Sequence, residues 1–373
     1  MSHLTLTGPG LPGPAPAQAG PLDKITEAQL RAAPLERLLD YGLVASDALF
    51  LRGQVAQGSS WSDAGLRVTN AHLAASDEAD RAGLAEAQRQ HLLSAAVTAS
   101  VAQLMMAGDD EQRRDIYRLS VSARDRWLAG QGDRAGRLAA PGAVGELDVI
   151  WLRPAGAART AVVALWGGTS GWGIAYRRCA QALLDAGLSV ALVELPGQGS
   201  PRLLRGKVLG PGLYATARCL IEALRSAPFS TGHVGIWGQS VGGLLAAQVA
   251  SHLPEVSACC VTSGPGTLAR AVQQSSRQRQ LWADMLGRPA GTTGLGAEFD
   301  FAAGQRIGCP VLVVHGGRDP LVTDAESAAF AAAGAEPSRL VVWPDEGHCV
   351  YGRAQERDVL VAAWFRSVLS RPA

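Results

Sequence analysis

Ser240 stands in Gly238-Gln239-Ser240-Val241-Gly242, directly after the apolar run His233-Val234-Gly235-Ile236-Trp237 and ahead of the small-residue stretch Gly243 to Ala250. A serine hydroxyl is a weak nucleophile. It needs a histidine to take its proton, and an acid to fix the tautomer of that histidine and stabilise its cation. Candidates for both follow in chain order. Asp319 comes after Val311-Leu312-Val313-Val314-His315-Gly316-Gly317-Arg318, and His348 after Leu340-Val341-Val342-Trp343-Pro344-Asp345-Glu346-Gly347. In a chain with 44 glycines among 373 residues, G-x-S-x-G by itself is equally compatible with a plain tight turn. Three such residues after three strand-like runs favour acyl transfer: Ser240 attacks a carbonyl, His348 carries the proton and Asp319 orients His348. Glycines 238, 242 and 243 suit the sharp strand-to-helix turn that presents such a serine.

That chemistry also needs N–H donors where negative charge develops. Val241, next to the serine at a helix start, is one candidate. Gly168, with Thr169 next, is the other, in the turn Gly167-Gly168-Thr169-Ser170-Gly171-Trp172-Gly173. This turn lacks the lysine and G-K-[ST] ending of a phosphate-binding loop. The turn Glu194 to Ser200 is expected to shape the pocket, and Trp172, Trp282 and Leu286 are candidate substrate contacts. His315, upstream of Asp319, is expected to support its loop, and Asp345 and Glu346 to be solvated loop charges. His72, His91 and His252 read as surface or core helix residues. Cys349 reads as a packing residue beside His348. No metal or cofactor is expected.

The elements that must position these residues change character along the chain. Residues 1–21 form a Pro/Gly/Ala-rich leader with no expected structure. From 22 to 145 the pattern is helical, with runs Ile25 to Ala32, Leu35 to Tyr41, Leu43 to Gly53, Ser62 to Ala75, Leu84 to Ala107 and Asp110 to Leu128. Leu92, Leu93, Ala96, Val97, Ser100, Val101, Leu104 and Met105 give the run Leu84 to Ala107 one buried stripe. Ser60 or Ser62, and Gly108-Asp109-Asp110, are cap signals. A Gly/Ala/Pro-rich connector follows at 130–145, where composition and period change. Residues 146–373 then alternate: strands at Glu146 to Pro154, Ala161 to Trp166, Ser189 to Glu194, His233 to Trp237, Val256 to Thr262, Val311 to His315 and Ser338 to Trp343, with helices between them. This is an α/β fold with a mostly parallel sheet. Residues 265–308 interrupt the alternation, with a polar helix at Ala271 to Leu286, where a lid would sit.

Composition narrows the partners. With 34 basic and 33 acidic residues the net charge is +1, so no global field draws nucleic acid or an anionic membrane, and a small-molecule substrate fits better. No run approaches the roughly 18 apolar residues of a membrane helix. Met1 to Gly20 lacks a basic region and is broken by Pro12, Pro14 and Pro16, unlike a signal peptide. The six cysteines lack C-x-x-C spacing and mostly sit in apolar runs. The expectation is a cytoplasmic protein with reduced thiols.

With these residues in view the chain resembles the α/β-hydrolase superfamily. The resemblance is to its branch with a helical N-terminal domain, which includes FrsA-like esterases and 2,6-dihydroxypseudooxynicotine hydrolase. It rests on Gly238 to Gly243, His315-Gly316-Gly317-Arg318-Asp319 and Gly347-His348, and extends over about Leu35 to Leu369. It implies a helical domain roofing the site, often a homodimer, and a bulky substrate, with secondary metabolism as the setting. Carbon-carbon bond hydrolases of the branch use an added lid acid, and none of Asp284, Glu298 or Asp300 matches that role. Ester or thioester hydrolysis leads. C–C cleavage or acyl transfer with the same triad, and a noncatalytic binding protein on the scaffold, are the alternatives.

Overall fold

The computed structural model describes residues 22–138, 140, 147–269, 272 and 276–370. The leader, part of the connector and part of the polar lid segment lie outside the described residues. The chain divides into two compact units between Asp133 and Arg134.

The first unit is helical: α1 (Lys24–Ala32), α2 (Leu35–Asp40), α3 (Ala45–Ala56), α4 (Trp61–Arg81), α5 (Ala85–Ala102) and α6 (Glu111–Ala129). Ser60 caps α4 by accepting from the Asp63 N–H, and Asp110 caps α6 by accepting from the Arg113 N–H. Both satisfy donors that a helix start leaves orphaned. Small residues let α4 and α5 approach closely. A methyl on Gly65 would lie 2.5 Å from Ala102 Cβ and 2.8 Å from its Cα. The Trp61 indole N–H donates to the Val101 carbonyl (2.9 Å), and Ser120 Oγ donates to the Ala96 carbonyl (2.7 Å), tying α4 and α6 to α5.

Two helix bounds differ from the sequence pattern. Helix α4 runs on to Arg81 because its polar last turns face solvent and Arg126 pairs with Asp77 at 2.8 Å. Helix α5 stops at Ala102 although the apolar stripe continues to Met105. There the Gln103 carboxamide donates back to the Ser100 carbonyl and accepts from the buried Arg113 guanidinium. Periodicity also gave no sign of a buried chain across three helices. Asp47 Oδ2 lies 2.8 Å from His72 Nε2, and His72 Nδ1 lies 3.2 Å from His91 Nδ1.

The second unit holds an eight-stranded sheet in the order β1-β2-β4-β3-β5-β6-β7-β8. Its strands are β1 (Ala135–Arg137), β2 (Asp148–Leu152), β3 (Thr160–Trp166), β4 (Ser189–Glu194), β5 (Ser230–Gln239), β6 (Ala258–Thr262), β7 (Ile307–Gly316) and β8 (Gly334–Trp343). Only β1 and β2 run antiparallel to their neighbours. The short β1 lies in the Gly/Ala/Pro-rich connector: its three residues pair with Ile150, Trp151 and Leu152, a contact that three residues of local pattern do not announce. Strand β8 starts at Gly334 rather than near Ser338 because Gly334 pairs with Ile307 of β7.

Helices α7 (Arg177–Asp185), α8 (Gly199–Leu203), α9 (Leu213–Ser226), α10 (Val241–His252), α11 (Ser276–Leu286), α12 (Asp324–Ala333) and α13 (Ala354–Leu369) flank the sheet among the described residues. Residues 161–166, all of β4 and all of β6 are buried, as continuous apolar runs in a two-sided parallel sheet require. The register pairs Trp166 with Gly238, Gln239 with Thr262, Thr262 with Val314 and Gly316 with Trp343. The residues just beyond these strands therefore emerge along one sheet edge. Among the described residues no helix is long and apolar enough to cross a membrane.

Candidate active site

Ser240 follows β5 directly and precedes α10, with φ 55° and ψ −132°. A non-glycine residue at positive φ is strained and persists only where its surroundings over-determine it. Here the turn closes because its neighbours have no side chain: a Cβ on Gly238 would strike the Gly242 carbonyl, and one on Gly242 would strike the Gly167 carbonyl. The Ser240 N–H donates to the Thr262 carbonyl (2.8 Å), and the Trp166 indole N–H holds the Gly242 carbonyl at 2.8 Å.

His348 Nε2 lies 2.9 Å from Ser240 Oγ, and His348 Nδ1 lies 2.8 Å from Asp319 Oδ2. A carboxylate can only accept, so Nδ1 carries the proton and Nε2 is free to accept one from Ser240. The other carboxylate oxygen, Oδ1, accepts from the N–H groups of Leu321 (2.8 Å) and Val322 (3.3 Å). The Asp319 side chain is fully buried, whereas His348 keeps 19% of its side chain exposed. Burial is the largest influence on Asp319 and pushes its pKa up. The charge of His348 and the hydrogen bonds from His348, Leu321 and Ser263 outweigh it and hold the carboxyl below its ordinary value. For His348, burial works against the cation. The Cys349 side chain and the Asp319 carboxylate work for it, and the balance holds the imidazole well above the usual histidine range.

Ser263, just past β6, has no sequence signature, yet it touches both halves of this pair. Its hydroxyl is hydrogen-bonded to Asp319, and its Oγ accepts from the Cys349 N–H at 2.9 Å. Ser263, Cys349 and Val350 all have positive φ (46°, 60° and 55°), so this crossing of loops, like the elbow, is strained backbone held by its contacts.

Gly168 lies against the serine: a methyl there would sit 2.9 Å from Ser240 Cβ and 3.2 Å from Oγ. The N–H groups of Gly168, Thr169 and Val241 have no acceptor among the described residues. Unpaired N–H groups in buried backbone, on the residue after Ser240 and on the glycine packed against it and its neighbour, are the kind of donor an oxyanion requires. Trp172 is fully buried, donates its indole N–H to the Gly168 carbonyl (3.0 Å) and lies under the Arg202 guanidinium, so it props this turn.

Trp282 and Leu286 are 2% and 3% exposed and belong to the main apolar cluster, where the Trp282 ring meets Phe299 edge-on. Packing is the contact the structure gives them. His315 Nε2 pairs with Asp324 Oδ1 at the start of α12 (2.9 Å), Asp345 with Arg318 (2.6 Å), and Glu346 accepts from the Gly352 N–H (3.1 Å). The acids of the 265–308 insertion have partners of their own. Asp300 accepts from Thr267 Oγ1 and the Leu268 N–H (both 2.9 Å), Glu298 pairs with Arg288 and Asp284 with Gln280.

Residues 216–371, which contain Ser240, Asp319 and His348, match the model of the prolyl oligopeptidase family. No curated protein matches the chain in sequence. Among solved structures, 2,6-dihydroxy-pseudo-oxynicotine hydrolase is similar with a TM-score of 0.79 at 21% identity, over 90% of this chain and 95% of that one. AbyA5 is similar with a TM-score of 0.63 at 20% identity, over 80% of this chain and 84% of that one. A puromycin-hydrolyzing peptidase of Mycobacterium tuberculosis reaches 0.51 at 20% identity, over 64% of this chain and 39% of that one. With a mostly parallel eight-stranded sheet, a strained serine turn after its fifth strand and a helical N-terminal unit, the chain has the α/β-hydrolase fold.

Proposed function

We propose that the protein is a serine hydrolase acting by acyl transfer on an ester or thioester of a bulky small molecule. The observation that supports this reading is the continuous hydrogen-bonded chain Ser240–His348–Asp319, at 2.9 and 2.8 Å, with Gly168 packed against the serine. As Ser240 Oγ bonds to the substrate carbonyl carbon, its proton passes to His348 Nε2. The charge developing on the carbonyl oxygen is received by the N–H groups of Val241, Gly168 and Thr169. His348 then returns the proton to the departing alkoxide or thiolate, leaving Ser240 acylated. Water, deprotonated by the same nitrogen, releases the acid and restores the serine. Asp319 stays ionised throughout and holds the ring. A near-neutral net charge is consistent with a substrate not drawn in by a global field.

The test is labelling with a fluorophosphonate together with turnover of p-nitrophenyl esters, acyl thioesters and aminoacyl amides of increasing acyl size. The expected result is phosphonylation of Ser240, abolished in Ser240→Ala, with ester or thioester turnover exceeding that of amides. Folded protein that resists the probe while a control esterase reacts would overturn the reading.

A further inference from the structure

Gln198 lies in the turn after β4, is fully buried, and spends its whole carboxamide on the backbone next to Ser240. Its Oε1 accepts from the Leu195 N–H at 3.0 Å. Its Nε2 donates to the carbonyls of Gly167 (2.6 Å) and Gly168 (3.0 Å). One donor on one side and two acceptors on the other admit a single orientation of the amide. The Gly168 carbonyl receives a second donor, the Trp172 indole N–H, at 3.0 Å.

A trans peptide is planar, with its N–H directed opposite to its C=O. Holding the Gly167 and Gly168 carbonyls therefore fixes the directions of the N–H groups of Gly168 and Thr169. Those two N–H groups, like that of Val241, have no acceptor among the described residues, and Gly168 itself packs against Ser240. The stretch needs such a restraint, because two consecutive glycines carry little conformational preference of their own and either peptide could otherwise rotate. Side chains cannot supply it from nearer by: a Cβ at Gly167 would strike the Gly171 carbonyl, and one at Gly168 would press on Ser240.

We propose that Gln198 is the positioning residue of the oxyanion site, aiming the Gly168 and Thr169 N–H groups through the carbonyls behind them. This rests on the reading of Ser240 as the nucleophile. The group must be an amide. A glutamate of the same shape presents only acceptors to two carbonyl oxygens, and a methionine of similar length presents no donor.

The test compares wild type with Gln198→Met and Gln198→Glu, each checked for fold by circular dichroism and thermal unfolding. Ester turnover is measured across pH, together with the affinity for a trifluoromethyl ketone, which forms a tetrahedral adduct. The expected result for Gln198→Met is a kcat lowered roughly 10- to 1,000-fold, the range bounded by loss of an oxyanion donor. KM stays within about threefold, and trifluoromethyl ketone affinity falls in parallel with kcat. The midpoint of the pH profile is unchanged, because the Asp319–His348 pair is untouched. Gln198→Glu is expected to lose more. Should neither variant fold, Trp172→Phe, which removes the other donor to the Gly168 carbonyl, is expected to show the same pattern on a smaller scale. A folded variant with full kcat, or one whose loss lies in KM or in a shifted pH midpoint, overturns the proposal while leaving Ser240 as nucleophile. Wild type that neither takes up a fluorophosphonate nor turns over esters overturns both.

Discussion

Asp319→Asn isolates what the buried carboxylate contributes, because the structure dictates how the new amide must sit. Oδ1 of Asp319 accepts two backbone N–H groups, from Leu321 and Val322, while Oδ2 accepts from His348. An asparagine can serve the two backbone donors only with its carbonyl oxygen, which leaves its NH2 facing His348 Nδ1. The reverse orientation sets the NH2 against two N–H groups. It forfeits two hydrogen bonds of about 1 kcal/mol each and leaves buried donors unpaired at about 1–3 kcal/mol apiece. The amide therefore donates to Nδ1, and His348 must carry its proton on Nε2. A protonated Nε2 cannot take the proton of Ser240. The same tautomer trap in a serine protease costs about 10⁴ in rate, which corresponds to about 5.5 kcal/mol of transition-state stabilisation. We expect kcat/KM for a p-nitrophenyl ester to fall by about that factor near neutral pH, with a comparable fall in the fluorophosphonate labelling rate. Circular dichroism should remain that of wild type. A folded Asp319→Asn protein within about tenfold of wild type would refute the reasoning, since it would show that the tautomer of His348 is not set by this residue.

Three further outcomes are expected. In the proposed mechanism His348 acts as a base only when neutral, and its pKa is held well above the ordinary value, so kcat/KM should rise with pH through a midpoint above about 6.5; a midpoint below that value in a pH–rate titration would contradict the assigned environment. Gly168→Ala places a methyl 2.9 Å from Ser240 Cβ, and should lower ester turnover by at least about 10², the scale set by loss of an oxyanion donor, in protein whose circular dichroism remains that of the folded chain although its unfolding temperature falls with the overpacking. In the helical unit, Gly65→Ala improves helix propensity by about 1 kcal/mol but drives its methyl to 2.5 Å from Ala102 Cβ. Overpacking of this kind typically costs about 1–3 kcal/mol, so a lowered unfolding temperature in scanning calorimetry is expected, and a raised one would show that α4 and α5 separate freely.

Ser240, Asp319 and His348 were legible in the sequence because each closes a run of apolar residues long enough to read as a strand, and because glycine marks the turns beside them. The parallel sheet was legible for a related reason: continuous apolar runs such as 161–166 and 311–315 have one use in a chain of this size. Gln198 and Ser263 were not legible. One is an amide in a glycine turn and the other a serine past a strand end, and neither spacing nor periodicity distinguishes them from solvent-facing loop residues. Their roles come from hydrogen bonds to Gly167, Gly168, Asp319 and Cys349, positions up to 86 residues away. Trp282 and Leu286, singled out as pocket candidates for being large and apolar in an insertion, are equally qualified by those properties to be core, and both lie buried in the main apolar cluster, Trp282 edge-on to Phe299. Sequence by itself determined which residues could do chemistry and the order of the strands that carry them, since both follow from side-chain type and local period. Only the tertiary structure decided which N–H groups stay unpaired beside Ser240 and what holds them there, because the direction of a peptide dipole depends on partners that chain neighbours do not reveal.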